Sequence, residues 1–183
     1  MASVLVPLAQ GCEEIEAVTI IDLLVRAGVE VITAGLEAGP VTASRGVVLV
    51  PQTTLAEALE REYDMVVLPG GMPGAVNLDN DPRIHRLLRE MSDSGKFTAA
   101  ICAAPRVLAN AGLLSGKRAT SYPGHLDKMD LPDVEYRQES IVQDGKVITS
   151  RGPGTAMDFT LVLIEQLVGR EKRDEVEAAL QRH

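Results

Sequence analysis

Three stretches of the chain hold residues that could do chemistry together. In FTAAICAAPRVLANAG, Cys102 stands where a short apolar run gives way to a helix opened by Pro105. A thiol there would feel the positive end of the helix and its unpaired N–H groups, which favour the nucleophilic thiolate. A small buried cysteine would also suit the position. In DMVVLPGGMPG, Gly70 and Gly71 end a strand without side chains, so their N–H groups could approach a ligand closely, as an oxyanion hole requires. Paired glycines also mark tight turns. In GCEEIEAVTIIDLLVRAG, Glu13 and Glu14 suit the amino end of a helix, whereas Glu16 lies among Ile15, Ala17, Val18 and Ile20. A carboxyl desolvated there would keep its proton near neutrality and could pass it to a neighbouring sulfur. The plainer reading of Glu16 is a residue on the rim of a partly exposed helix.

The other titratable candidates are fewer. Cys12, in QGCEEIE, also ends a strand and reads as a loop thiol that could shield the site or help oxidise it. His85 lies in a charged helix and reads as a surface residue, and His183 is terminal and expected to be mobile. His125, in TSYPGHLDKM, is the one histidine on a loop after an expected strand. Neither cysteine has a Cys or His partner at metal-ligand spacing, and there is no GxGxxG or P-loop pattern, so no metal or organic cofactor is expected.

Positioning these residues requires a sheet covered by helices. SVLVPLA (3–9), VEVITAGL (29–36), GVVLVP (46–51), DMVVLPGG (64–71), FTAAI (97–101) and KVITS (146–150) read as strands buried on both faces. EEIEAVTIIDLLVRAG, DPRIHRLLREMSDSG, APRVLANAG and PGTAMDFTLVLIEQLVG have helical length, and glycine closes each of them. Alternation of the two predicts an α/β fold, a mostly parallel sheet between helix layers, with the chemistry at the carboxyl ends of the strands. The segments 40–51, which is hairpin-like, and 117–145, which is polar, interrupt the pattern. At 183 residues one domain is expected over 1–183, because one core serves up to about 250 residues.

Composition excludes several function classes. Lys and Arg total 18 against 26 Asp and Glu, a formal charge of -8, which opposes approach to phosphate backbones or anionic lipid. No segment approaches the ~20 apolar residues of a membrane span, and no signal-peptide pattern opens the chain. A cytoplasmic protein with free thiols is expected.

Taken in order, GCEEIEAV, ASRGVVLVP, LPGGMPGAVNL, AAICAAP, SRGPGTAMDF and LVGREK resemble the ThiJ/PfpI superfamily, and within it the Parkinsonism-associated DJ-one branch with its bacterial relatives. The resemblance implies a flavodoxin-like three-layer sandwich of the class I glutamine amidotransferase type and a homodimer. It places the reactive cysteine of a nucleophile elbow on Cys102 and that cysteine's protonated glutamate partner on Glu16. The amide donors fall on Gly70, Gly71 and Ala103, and pocket arginines on Arg45 and Arg26, the latter reaching across the dimer. Two positions depart from the pattern. Ala103 stands where the protease relatives have histidine, which speaks against proteolysis. Tyr122 stands where many members of the branch have histidine before a proline, so the substrate-side candidates here are Tyr122 and, three places on, His125.

Two functions follow. One is a glyoxalase or deglycase acting on methylglyoxal or glyoxal, free or as adducts of protein or nucleotide amines. The other is a redox-sensing stress protein or holdase chaperone whose Cys102 is oxidised to sulfinate. Both use an acidic thiol beside a carboxyl, and the sequence does not separate them.

Overall fold

Five of the six apolar runs enter one sheet because their side chains find cover on both faces. The computed structural model describes residues 1–182, so the reading of His183 lies outside the described residues. Its elements are β1 (Ser3–Leu8), α1 (Glu14–Arg26), β2 (Glu30–Gly35), β3 (Val41–Thr42), β4 (Val48–Leu49), β5 (Thr53–Thr54), α2 (Leu55–Ala58), β6 (Met65–Leu68), α3 (Gly74–Asp79) and α4 (Pro82–Asp93). There follow β7 (Phe97–Ile101), α5 (Pro105–Asn110), β8 (Arg118–Ala119), β9 (Glu135–Tyr136), β10 (Ile141–Asp144), β11 (Val147–Ser150), α6 (Ala156–Val168) and α7 (Arg170–Ala179). The central sheet runs β10-β11-β7-β6-β1-β2-β5, parallel throughout except for the β10–β11 pair. This is the mostly parallel sheet between helix layers that the alternation predicts, and the flavodoxin-like sandwich that the resemblance implies.

The period of two along each strand divides the core. Val4, Val6 and Leu8, Met65 and Val67, and Ala99 and Ile101 join Ile20, Leu24, Phe159 and Leu163 of α1 and α6 in one layer. Leu5, Val66, Leu68 and Ala100 join Leu55, Leu88 and Leu108 of α2, α4 and α5 in the other. With both faces covered, the strands show no polar alternation.

GVVLVP departs from its expected role. It supplies only the two-residue β4, paired antiparallel with β3 outside the central sheet. Val47, Val48 and Val50 are exposed, because the turn before β4 is tied to the amino end of α1 and carries the strand over that helix rather than into the sheet. Ile15, Val18 and Val25 of α1 are exposed too, and Val18 and Val25 share with Leu49 and Val50 an apolar groove of about 400 Å³. The stretch 117–145 becomes the β8–β9 pair, a 3₁₀ turn at Leu126–Lys128 and the edge strand β10. No helix among the described residues is long and apolar enough to cross a membrane.

Candidate active site

Parallel strands put their carboxyl ends on one edge, and the loops that leave β1, β6 and β7 there meet around Cys102. The cysteine has φ 64, a left-handed conformation rare outside glycine that turns a strand sharply into a helix. Its peptide is held on both sides: Cys102 N–H donates to Ser150 C=O at 2.9 Å, and Cys102 C=O accepts from Tyr122 N–H at 2.9 Å. The side chain is 9% exposed. The N–H groups of Gly71 and Ala103 point at the sulfur.

Glu16 arrives from the first turns of α1 and is fully buried, although Ile15 and Val18 beside it face outward. Its Oε2 accepts the N–H of Gly70 at 2.8 Å. Of the glycine pair, therefore, Gly71 alone has its amide toward the sulfur, because that of Gly70 is taken by the carboxyl. The Glu16 carboxyl lies close enough to Cys102 to couple the two titrations, yet Oε1 completes no well-aligned hydrogen bond. Burial raises the Glu16 carboxyl to about 7, against the lowering effect of Gly70 N–H and Cys102. Burial first, and the Glu16 carboxylate second, push the Cys102 thiol up to about 12.

The expectation that the helix end lowers the thiol is thus corrected. Helix α5 is only six residues long, and desolvation of the sulfur outweighs it. Between the two titrations the pair holds one proton, and while Glu16 is charged the sulfur keeps it.

Glycine is required at both positions by space. A Cβ on Gly70 would stand 2.6 Å from Cys102 Cβ, 2.7 Å from Ile101 C=O and 2.8 Å from Glu16 Oε2. One on Gly71, where φ is +90, would stand 2.4 Å from Glu13 N. The loop after β6 is further tied to α1 by Glu13 N–H donating to Gly70 C=O at 2.9 Å.

The remaining candidates lie at different distances from this centre. Glu13 and Glu14 do more than complement the helix end: both accept from Ser44 Oγ, at 2.9 and 2.8 Å, and Glu14 also accepts Arg45 N–H at 2.7 Å. These bonds fix the turn between β3 and β4 and place exposed Arg45 beside the amino end of α1. Arg26 pairs with Asp22 at 2.7 Å at the other end of the helix, about 15 Å from Glu16 at ~1.5 Å per residue, and takes no part in this chain's own site. Tyr122 is half exposed, and His125 meets its ring edge-on at 6.3 Å. Burial and the Arg106 guanidinium lower His125 below its ordinary value.

Two further expectations are refined. Cys12 lies, as expected, in the loop after β1, but it is 1% exposed, its pKa raised to about 11 by burial and by the Glu14 carboxylate. His85 is no free surface residue: its Nε2 lies 2.7 Å from Asp79 C=O and 3.1 Å from Asp79 Oδ1. Among the described residues no group of three or more His, Cys, Asp or Glu could hold a metal ion.

The model of the DJ-1/PfpI family covers residues 2–166. The chain belongs to that family. The Drosophila melanogaster family member dj-1beta is 44% identical over 179 residues, covering 97% of this chain and 96% of that protein. The crystal structure of Drosophila DJ-1beta superposes with a TM-score of 0.94, at 98% coverage of this chain and 97% of that one. A Caenorhabditis elegans family member named glutathione-independent glyoxalase DJR-1.2 is 38% identical over 171 residues, with 93% and 90% covered. The chain spans about half the length of another relative, DJ-1 homolog A of Arabidopsis thaliana, which is 40% identical over 180 residues, 97% of this chain and 46% of that protein.

Proposed function

We propose that this protein is a cofactor-independent glyoxalase that converts methylglyoxal or glyoxal to the hydroxy acid and acts on their adducts with amines as a deglycase. The observation that carries this reading is the fully buried Glu16 carboxyl lying against the Cys102 thiol, with the amides of Gly71 and Ala103 also directed at the sulfur. Cys102 gives its proton to Glu16 and adds to the aldehyde carbon, and the two amides stabilise the developing oxyanion. Glu16 hands the thiol's proton to the oxyanion and, as a carboxylate again, takes the proton from the aldehyde carbon. It returns that proton to the neighbouring carbon, while the first hydroxyl's proton passes to the neighbouring oxygen. The first carbon is thereby oxidised to a thioester and the second reduced to a carbinol. Water cleaves the thioester to lactate and restores the thiol, so the reaction needs no external oxidant. The C. elegans relative named as a glutathione-independent glyoxalase supports the reading.

The test is lactate formation from methylglyoxal, without glutathione or added metal, by wild type, Cys102→Ser and Glu16→Gln. Turnover lost in both variants supports the reading, and no lactate above a protein blank from wild type sinks it.

A second reading, a redox-sensing stress protein or chaperone, draws on Glu16 Oε1, which is buried without a partner. Oxidation of Cys102 to sulfinate would give a protonated Glu16 an oxygen acceptor. Intact mass after graded peroxide tests it: uptake of two oxygens at Cys102, lost in Glu16→Leu, is expected, whereas equal oxidation of Cys12 and the methionines would count against it. The same proposal takes the chain as one cytoplasmic domain that forms a homodimer through the apolar face of α1 and β4, bringing a partner's arginine to each site. Sedimentation showing only a 19.6 kDa species would remove the dimer.

A further inference from the structure

The two backbone bonds that hold Cys102 lead directly to the walls of a second cleft. Tyr122, whose N–H meets Cys102 C=O, forms one wall, and the residues following Ser150, whose C=O meets Cys102 N–H, form the other. The cleft, about 400 Å³, lies between Tyr122–Pro123 and Arg151–Thr155. That volume falls among pockets that hold ligands of drug-like size, about 300–1,000 Å³, and is far more than a three-carbon dicarbonyl fills.

Its chemistry is specific. The Tyr122 ring lies against Gly152, where an added Cβ would come within 3.1 Å of it, and its exposed remainder offers an aromatic surface. Arg151 lines the same cleft. Most arginines of this acidic chain are neutralised by a carboxylate, as Arg83 is by Asp81 and Arg106 by Asp79. Among the described residues Arg151 is in no ion pair, and the side-chain bond it makes runs from Nη1 to Gln138 C=O at 3.1 Å. An unneutralised arginine in a cleft that also holds an aromatic face suits a flat group that ends in a carboxylate.

We propose that this cleft is a tail subsite, and that the dicarbonyl site accepts 2-oxoaldehydes whose second substituent is planar and ends in a carboxylate. The inference rests on the glyoxalase reading above. The tail lies on Tyr122, its carboxylate meets Arg151, and the aldehyde carbon reaches Cys102. The reaction is the same internal redox exchange: an arylglyoxal plus water gives the corresponding mandelate.

The experiment compares kcat/KM for 4-carboxyphenylglyoxal and phenylglyoxal. Wild type should favour the carboxylate about tenfold, the equivalent of one charge-assisted contact. Arg151→Gln should bring that ratio to near one, and Arg170→Gln, on α7, should keep it. Tyr122→Ala should weaken both substrates and leave their ratio in place. A wild-type ratio near one, or a ratio that survives Arg151→Gln, overturns the subsite. If wild type turns over no 2-oxoaldehyde, the glyoxalase reading falls, and the cleft is then read from millimolar 4-carboxymandelate. Amide NMR shifts at Gly152 and Gly154 that vanish in Arg151→Gln would keep the cleft as a carboxylate site, and their absence in wild type would overturn it.

Discussion

The two cysteines share burial and a raised thiol and differ in what surrounds the sulfur. Cys12 and Cys102 both lie in loops that follow strands of the central sheet, both are nearly sealed from solvent, and both have thiols raised well above the ordinary range, to about 11 and about 12. Around Cys12 the neighbouring carboxylates Glu14, Glu13 and Glu16 act on the sulfur only as repelling charges, and the helpful N–H is its own. Around Cys102 one carboxyl is itself buried and can hold the proton the sulfur loses, and two amides from other residues face the charge that results. A high thiol pKa alone therefore says little about reactivity. What matters is whether the proton has somewhere close to go.

The contrast can be broken most forcefully at the two residues of the pair. Cys102→Ser and Glu16→Gln should each lower lactate formation about 1,000-fold or more, in the range of losses for a nucleophile or its proton partner, while Cys12→Ala should stay within about twofold. Equal losses at both cysteines would erase the distinction. Next in size is Gly70→Ala, whose methyl collides with Cys102, Ile101 and Glu16 at once. A loss of roughly 1–3 kcal/mol is expected from the overpacking, with turnover about 100-fold down as the carboxyl loses its amide. Thermal unfolding and lactate assays read the two effects separately.

The pH dependence sharpens the comparison further. Iodoacetamide alkylation of Cys102 should rise with a midpoint near 7, where Glu16 titrates, because the reactive tautomer belongs to the state in which the pair holds one proton. In Glu16→Gln that step should disappear and the rise move to higher pH. Stability carries the opposite slope. The folded Glu16 pKa lies above its unfolded value, so the folded chain binds more protons between about 4.5 and 7 and loses stability as pH rises through that window. The melting-temperature difference between Glu16→Gln and wild type should therefore grow in the variant's favour from pH 5 to pH 8. Smallest of all, His125→Ala should change lactate formation less than about threefold, since its ring packs edge-on against Tyr122.

The fold was legible wherever a run was apolar on both faces. FTAAI and DMVVLPGG read correctly as strands because nothing but a covered sheet can hold them. GVVLVP carries the same signal, and it fails because apolar side chains gathered over α1 look, in one dimension, like those of a core. The short α3 and the separate α7 were hidden for another reason: Gly169 closes α6, and a helix restarts immediately. At the site, Cys102, Glu16, Gly70 and Gly71 could be found from residue type and setting. Their division of labour could not, because the choice of Gly70 N–H by the carboxyl depends on where α1 lands against β6. Arg151 was passed over for a related cause, since an unpaired arginine is visible only once the others have found their carboxylates.

The bonds that define the elbow join distant parts of the chain. Gly70 meets Glu16 across 54 residues, and Cys102 cannot be pinned until Ser150 has joined the sheet beside it. Such closures come late in assembly, because each one must offset the entropy of a long loop. A chain emerging from synthesis thus exposes Cys102 as an ordinary thiol well before any nucleophile exists, and a fragment ending ahead of β11 would carry the cysteine without the chemistry. On the proposed function, reactivity at this sulfur would report that β11 has joined the sheet beside β7.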